Sequence, residues 1–330
     1  YGFFTMIGSR TPFRMSFIGG GSDLKEFYSR HPGCVISTSI NKYMYIFIHP
    51  FFDNRIQVKY SKVELVDCIE AIEHPIVREA LRKFNLEGID INSIADIPAG
   101  TGLGSSSSFT VGLLHALYGY RGDKVSKAQL AHEACEIEID ILQEPIGKQD
   151  QFAAAHGGLN LIRFSPNGEV QVEPIVMEKK AYKQLQNNLL LFYTGTTRNT
   201  SDILSNQKFN MINDRQKFDT LVQMTELVEI ANKCLCESDL NGFAKTLDDN
   251  WSLKRTLSDK ISNTGIDNLY SLAKNNGALG GKILGAGGGG FLLLYCEPEN
   301  QHKLRKSLSR LKEVQFKFDN SGSMMLNLDH

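Results

Sequence analysis

No run of apolar residues in this 330-residue chain approaches the ~20 needed to cross a bilayer, and the longest candidate, Phe291–Cys296, is only strand-sized. There is no excess of charge either. The chain has 36 Lys and Arg against 37 Asp and Glu, a net charge of −1 at pH 7, which argues against a broadly basic nucleic-acid binder and leaves room for a local basic pocket. A basic segment followed by a long apolar stretch is missing from the amino-terminal region, so the expectation is a cytoplasmic chain without a secretory leader. Cysteine is sparse: Cys34, Cys68, Cys135, Cys234, Cys236 and Cys296 form no CxxC pair and predict buried free thiols in a reducing compartment. The histidines form no HExxH site. His132-Glu133 begins one, but Glu136 stands where the second His belongs, and no structural zinc is expected. The remaining composition is that of a globular protein with a sizeable core, and at roughly 150 residues per domain the length favours two domains.

With Tyr1–Thr5 left aside, Arg10–Ile18 and Val35–His49 read as extended, and Arg55–Tyr60 as a strand pairing behind a turn at Asp53-Asn54. Pro75–Phe84 carries Ile76, Val77, Ala80, Leu81 and Phe84 at helical spacing. A strand at Ile89–Ile97 enters the glycine-rich run Pro98–Ser108, and the apolar segment Phe109–Tyr118 reads as a buried helix. Ser126 suits the N-cap of a long helix whose stripe is Leu130, Ala134, Ile137 and Ile141. Beyond Pro145, Gly158–Phe164 and Glu169–Ile175 form a hairpin around Pro166-Asn167-Gly168. The helical, charged stretch Glu178–Asn188 is the candidate boundary and divides the chain into 6–185 and 186–330. The second part reads as a strand at Asn188–Tyr193 and helices at Asp214–Cys236, Asp239–Leu247 and Ile266–Asn275. A glycine run, the strand Phe291–Cys296, a helix at Glu299–Leu311 and a strand at Val314–Asp319 complete it. Helices and strands without regular βαβ alternation make the expected class α+β.

Three glycine-rich segments and one acidic turn carry the chemistry. In Pro98–Ser108 the alternating Gly100, Gly102 and Gly104 let backbone N–H groups approach an anion, and the serines open a helix whose first N–H groups favour phosphate. No Gly-Lys-Ser/Thr follows, so this is not a Walker A loop, and the glycine spacing is not that of a dinucleotide fold. Gly285–Gly290 formally fits G-x-G-x-x-G, but a strand follows it, which leaves a close-packing turn and a ligand loop both open. Gly19-Gly20-Gly21-Ser22-Asp23 reads as a tight turn with Asp23 capping the next helix, or as a ligand contact. Asp150, in Gly147–Gln151, is a helix cap or surface turn, or else a hydroxyl-activating base beside a cation. Glu138 by itself reads as a solvated helix flank.

Taken in order, Pro12–Asp23, Pro98–Ser108 and Lys282–Gly290 resemble the three motifs of the GHMP small-molecule kinases, and the resemblance covers essentially the whole chain. It implies a fold with an N-terminal domain like the second domain of ribosomal protein S5 and a ferredoxin-like C-terminal domain, with ATP and acceptor meeting between them. By resemblance, Gly100, Thr101, Gly102, Leu103, Gly104, Ser105, Ser106 and Ser107 wrap the ATP phosphates, and Ser106 and Glu138 hold Mg²⁺. Asp150 matches the catalytic base, and Arg14 the basic residue that steadies it. Gly20, Gly21, Ser22 and Asp23 match the sugar-contacting turn, and Gly285, Gly287, Gly288 and Gly289 the C-terminal glycine loop. Gly20-Gly21-Ser22-Asp23 and Phe192–Arg198 are similar to the branch of sugar 1-kinases that act on D-glycero-α-D-manno-heptose 7-phosphate or fucose; galactokinases carry Gly-Glu-His-x-Asp instead. The resemblance therefore implies ATP and a sugar phosphate as small-molecule partners, with neither nucleic acid nor membrane, and leaves self-association open. Arg198 is the candidate for a distal sugar phosphate, set against an exposed arginine without a role. A catalytically silent nucleotide- and sugar-binding sensor is the rival of another class.

Overall fold

The protein, seen as a computed structural model, is described over residues 6–195 and 200–326. Its strands in chain order are β1 (Ile7–Ile18), β2 (Gly33–Pro50), β3 (Ile56–Lys59), β4 (Val63–Val66), β5 (Ile89–Ala95), β6 (Leu159–Phe164) and β7 (Val170–Pro174). Then come β8 (Leu189–Tyr193), β9 (Ala278–Ile283), β10 (Phe291–Cys296), β11 (Lys312–Glu313) and β12 (Met324–Leu326). They make two sheets.

The first sheet runs β12-β1-β2-β5-β3-β4, with β6 and β7 branching from β2. The length of β2 explains the branch. One edge pairs with β6 through Gly33–Thr38 and with β5 through Met44–Pro50, while β1 takes the other edge. Burial follows the packing. From Gly33 to Ile40 every residue of β2 is buried, and from Met44 onward burial alternates, as in a strand with one wet face. The doubly covered part lies where β1 and β2 meet helices from both halves of the chain, Ser105–Arg121 and Gln149–His156 from the first and Arg215–Cys236 from the second. The second sheet, β11-β8-β10-β9, is antiparallel throughout, and its chain order of strand, helices, strand, strand, helix, strand is the ferredoxin-like arrangement.

Local signals set the helix ends. Pro75 opens Pro75–Phe84, and Asn85 closes it in the left-handed region at φ 50°. The side chains of Ser126, Asp214, Asp239 and Asn263 each accept a backbone N–H at the start of their helices. The main core joins Phe13, Met15 and Phe17 of β1 to Val228, Phe243, Leu247 and Leu284, so both halves share it. Phe17 meets Phe243 edge-on at 5.5 Å between ring centroids. A second cluster, around Trp251, Phe192, Leu292 and Ile261, belongs to the second sheet.

Several expectations fail for physical reasons. Asp53-Asn54 does not turn β3 back onto β2: β5 occupies that edge, and β3 pairs in parallel with β5 and antiparallel with β4. The stripe ending at Ile141 breaks because Glu136–Ile141 winds as a π-helix, which leaves Ile141 half exposed and turns Glu138 inward. Only Lys312–Glu313 joins the second sheet. Val314 adds a last backbone bond to Leu191 of β8, the residues beyond it leave the sheet, and Phe318 bridges to Ile40 of the first sheet. The helices Gln149–His156 and Thr200–Asn213 and the strand β12 were not anticipated. All six cysteines are free, but Cys68 and Cys236 are exposed rather than buried. No helix among the described residues is long and apolar enough to cross a membrane.

Candidate active site

A cleft between the two halves is walled by the Gly20–Gly21 turn, the Gly100–Ser107 loop, Gly147–Asp150, Lys254 and Gly285–Ala286. Its floor is Arg14, near the middle of β1. The Arg14 backbone N–H donates to the Leu103 carbonyl at 3.0 Å, which ties the strand to the glycine loop. The guanidinium then divides its donors. Nε and Nη2 grip Asp150 Oδ1 and Oδ2 at 2.7 and 2.6 Å, and Nη1 donates to the Gly102 carbonyl at 2.6 Å. A fork–fork pair of this kind fixes both partners in orientation as well as distance. Asp150 stands in the first turn of Gln149–His156, where Gln149 Nε2 donates to Oδ1 at 3.1 Å while Gln149 Oε1 accepts from the Ser16 hydroxyl at 2.8 Å.

The glycine loop needs its glycines. Gly100, Gly102 and Gly104 all have positive φ, and a Cβ on Gly102 would stand 2.5 Å from the Leu284 carbonyl. Gly104 forms the N-cap of the 17-residue helix Ser105–Arg121, and no side chain caps that end, so its first N–H groups and its dipole face the cleft. Leu103 is buried, and the Thr101 hydroxyl is spent on the Pro98 carbonyl.

Behind the serines lies Glu138. The Ser106 hydroxyl donates to its Oε1 at 2.8 Å and Gln151 Nε2 to its Oε2 at 2.7 Å. Burial pushes this carboxyl up to about 7, against the pull of those hydrogen bonds, and the Asp150 charge adds to the rise. Glu138 is thus a buried carboxylate placed one hydrogen bond from a serine oxygen, and no Lys, Arg or His among the described residues forms an ion pair with it. Among the described residues no cluster of three or more His, Cys, Asp or Glu could hold a metal ion. Two hard oxygens do suit Mg²⁺, which takes one or two protein ligands and completes its shell with water and substrate phosphates.

On the opposite wall, Asp23 accepts the Gly21 N–H at 2.9 Å and the Gln149 N–H at 3.2 Å. Burial raises its carboxyl, and the Asp150 charge adds to this. Gly20 and Gly21 line the cleft, but Ser22 does not. Its hydroxyl exchanges bonds with the backbone of Cys34 and so pins the turn to β2. In the C-terminal run, Gly285 lines the cleft and sits against Gly102, whereas Gly287 packs on Ile261 and the Gly288 N–H bonds to the Ile261 carbonyl. Gly287, Gly288 and Gly289 do not line the cleft, and Gly290 presses on Thr101; most of the run serves backbone-to-backbone packing. Arg198 lies outside the described residues.

Lys254 and Gln207 are among the cleft residues that were not foreseen. Lys254 is 4% exposed, and its Nζ donates to the Gly285 carbonyl at 2.8 Å. Burial holds its ammonium down at about 8, although Asp23 and Asp150 favour the charge. The available signal was a cation on the buried face marked by Phe243, Leu247 and Trp251. Gln207 likewise stands between Ile203 and Met211 at i, i+4, i+8 in a buried stripe.

The sequence matches the family model described as the GHMP kinases N terminal domain over residues 65–158 and the one described as GHMP kinases C terminal over residues 231–313. It is 28% identical to the D-glycero-alpha-D-manno-heptose 7-phosphate kinase of Campylobacter jejuni, over 92% of this chain and 93% of that one. It is 23% identical to the bifunctional fucokinase/GDP-fucose pyrophosphorylase of Arabidopsis thaliana over 94% of this chain, which is 32% of that protein. The fold is also that of a crystal structure of a D-glycero-D-manno-heptose 1-phosphate kinase from Bacteroides thetaiotaomicron, with a TM-score of 0.81, 23% identity, and coverage of 98% of this chain and 100% of that one.

Proposed function

Because this chain belongs to the GHMP kinase family, we propose that it is an ATP-dependent sugar 1-kinase whose acceptor is D-glycero-α-D-manno-heptose 7-phosphate. The observation that carries this reading is the triple grip of Arg14, which sets the Asp150 carboxylate beside the Gly102 carbonyl of the glycine loop. A base and a phosphate cradle are thereby held a single side chain apart. The heptose acceptor is favoured by the Campylobacter jejuni relative, which spans the same length as this chain, and by the Gly20–Asp23 turn on the acceptor wall. Fucose is the competing acceptor, through the plant relative.

In the reaction, the anomeric oxygen of the sugar bonds to the γ-phosphorus of ATP as the bond from that phosphorus to ADP breaks, and Asp150 receives the hydroxyl proton. Arg14 orients both Asp150 oxygens while the loop N–H groups and the helix N-terminus hold the phosphates. Magnesium enters as part of the nucleotide substrate, and Ser106 and Glu138 are the residues that would hold it; when bound it neutralises phosphate charge. Arg198 is our candidate for the 7-phosphate, since a planar donor fork suits that group. The product, a 1,7-bisphosphate, would feed nucleotide-activated heptose for surface polysaccharide in the cytoplasm, and the division of the chain at 185/186 would separate the nucleotide-binding from the C-terminal half. The sensor alternative has less support, because it gives Asp150 and Glu138 no task.

The test is ADP release from ATP and Mg²⁺ with heptose 7-phosphate, unphosphorylated heptose and L-fucose, with the phosphorylated position of the product read by NMR. Heptose-dependent release with a new phosphate on C1 is expected. Preference for fucose would replace the acceptor and keep the kinase, and nucleotide binding without sugar-dependent release would favour the sensor. Replacing Arg198 by Ala should weaken the phosphorylated heptose about 10-fold or more, the scale of a hydrogen bond to a charged group, and leave the unphosphorylated sugar unchanged.

A further inference from the structure

We propose that Gln207 selects the acceptor: its carboxamide, reaching over Gly21 from the C-terminal half, hydrogen-bonds a neutral hydroxyl of the bound sugar. The proposal rests on the sugar-kinase reading above and specifies one contact within it.

The helix Thr200–Asn213 places Ile203, Gln207 and Met211 along one buried stripe. Ile203 and Met211 enter the apolar cluster around Trp251, whereas Gln207 reaches the wall of the cleft with Gly21, Asp23, Leu24 and Leu204. Gln207 is 2% exposed, and among the described residues its carboxamide nitrogen has no hydrogen-bond partner. Four polar side chains of the cleft are already engaged: Arg14 with Asp150 and Gly102, Gln149 with Ser16 and Asp150, Lys254 with Gly285, and Asp23 with the Gly21 and Gln149 N–H groups. A buried amide donor left unpaired costs free energy, and a ligand that brings an acceptor oxygen to it recovers that cost on binding.

The chemistry of the group narrows the ligand. A carboxamide is uncharged, so it matches a ring hydroxyl better than a phosphate, which calls for a cation. Leu24 and Leu204 line the same cleft, and apolar surroundings strengthen a neutral hydrogen bond made there. Gly21 keeps the amide close to the sugar-facing turn. It has φ +110°, and any Cβ at this position would strike the Gln207 nitrogen.

The test uses the purified full chain, ATP and Mg²⁺, with heptose 7-phosphate, L-fucose and singly deoxygenated forms of whichever sugar is turned over. Gln207→Met should raise the sugar KM about 5–10-fold, the scale of a net hydrogen bond, and leave the ATP KM within twofold. One deoxy sugar should cost the wild type a similar factor and cost the variant nothing further. The sugar-free variant should melt at or above the wild type, because an unpaired polar group is gone, and its sugar-induced rise in Tm should shrink. Gln207→Leu, of similar bulk and with neither donor nor acceptor, should give the same kinetic signature should the Met variant fail to fold. An unchanged sugar KM in a folded variant, or equal losses for ATP and sugar with a lowered Tm, would overturn the proposal and leave the kinase reading standing. Turnover of neither sugar by the wild type would overturn both.

Discussion

Asp150 receives two hydrogen bonds from one guanidinium, and a carboxylate so gripped has a single orientation to offer a substrate. Asp150→Asn should keep ATP affinity, measured by calorimetry, while kcat falls about 10²–10⁴-fold, the usual contribution of a positioned base; near-normal kcat in the folded variant would remove the assignment. Glu138 makes a prediction about pH. In the cation-free protein its folded value is raised to about 7 from an ordinary 4.5. The folded chain therefore binds the extra proton between those values, and stability falls as pH rises through that window, by on the order of 3 kcal/mol in all. Denaturant titrations at pH 5 and pH 8 should show this loss in the wild type and not in Glu138→Gln, which should also need more Mg²⁺ for turnover. Equal slopes with pH in the two proteins would mean that Glu138 is not the group responsible. Asp150, Arg14 and Ser106 were legible because each sits in a local motif. Lys254 and Gln207 were not, because a single polar residue in an apolar stripe gains meaning only when the fold shows what faces it.

Between elements, the decisive contact is one glycine loop on another. Gly102 needs φ +87° and lies under the Leu284 carbonyl, so Gly102→Ala should destabilise the fold by about 1–3 kcal/mol, the cost of a strained backbone position, and raise the ATP KM. Unfolding and ATP titration read the two effects, and a variant with wild-type values for both would show the loops to be independent. Elements governed by local chemistry were readable: Pro75–Phe84 from its apolar spacing and N-terminal proline, and the hairpin of β6 and β7 from its Pro-Asn-Gly turn. Those decided by distant partners were not. β3 pairs with β5 across about thirty residues, and Glu136–Ile141 takes a π-helical turn that no spacing announced. That same turn converts Glu138 from an apparent surface flank into the deepest carboxylate of the site.

Across the whole molecule, the two halves are joined by their core. Phe17 packs on Phe243, and Lys282, wholly buried, sends its Nζ back to the Phe17 carbonyl at 3.0 Å. Calorimetry of the ligand-free chain should therefore show one cooperative transition, with calorimetric and van't Hoff enthalpies equal; two separable transitions would mean that the halves hold together only loosely. The two-sheet plan was implied by the family motifs, but the shared core was not, because contacts between β1 and the C-terminal helices leave no trace in either stretch alone. The closing partner of β1 comes last of all: Gly8 pairs with Leu326 and Arg10 with Met324, with β2 on the other side. During synthesis, at about 5–20 residues per second, the strand that carries Arg14 must wait tens of seconds for its neighbour to emerge. For that time the nascent chain presents a bare strand margin at Gly8–Arg10, open to pairing with another ribosome's product.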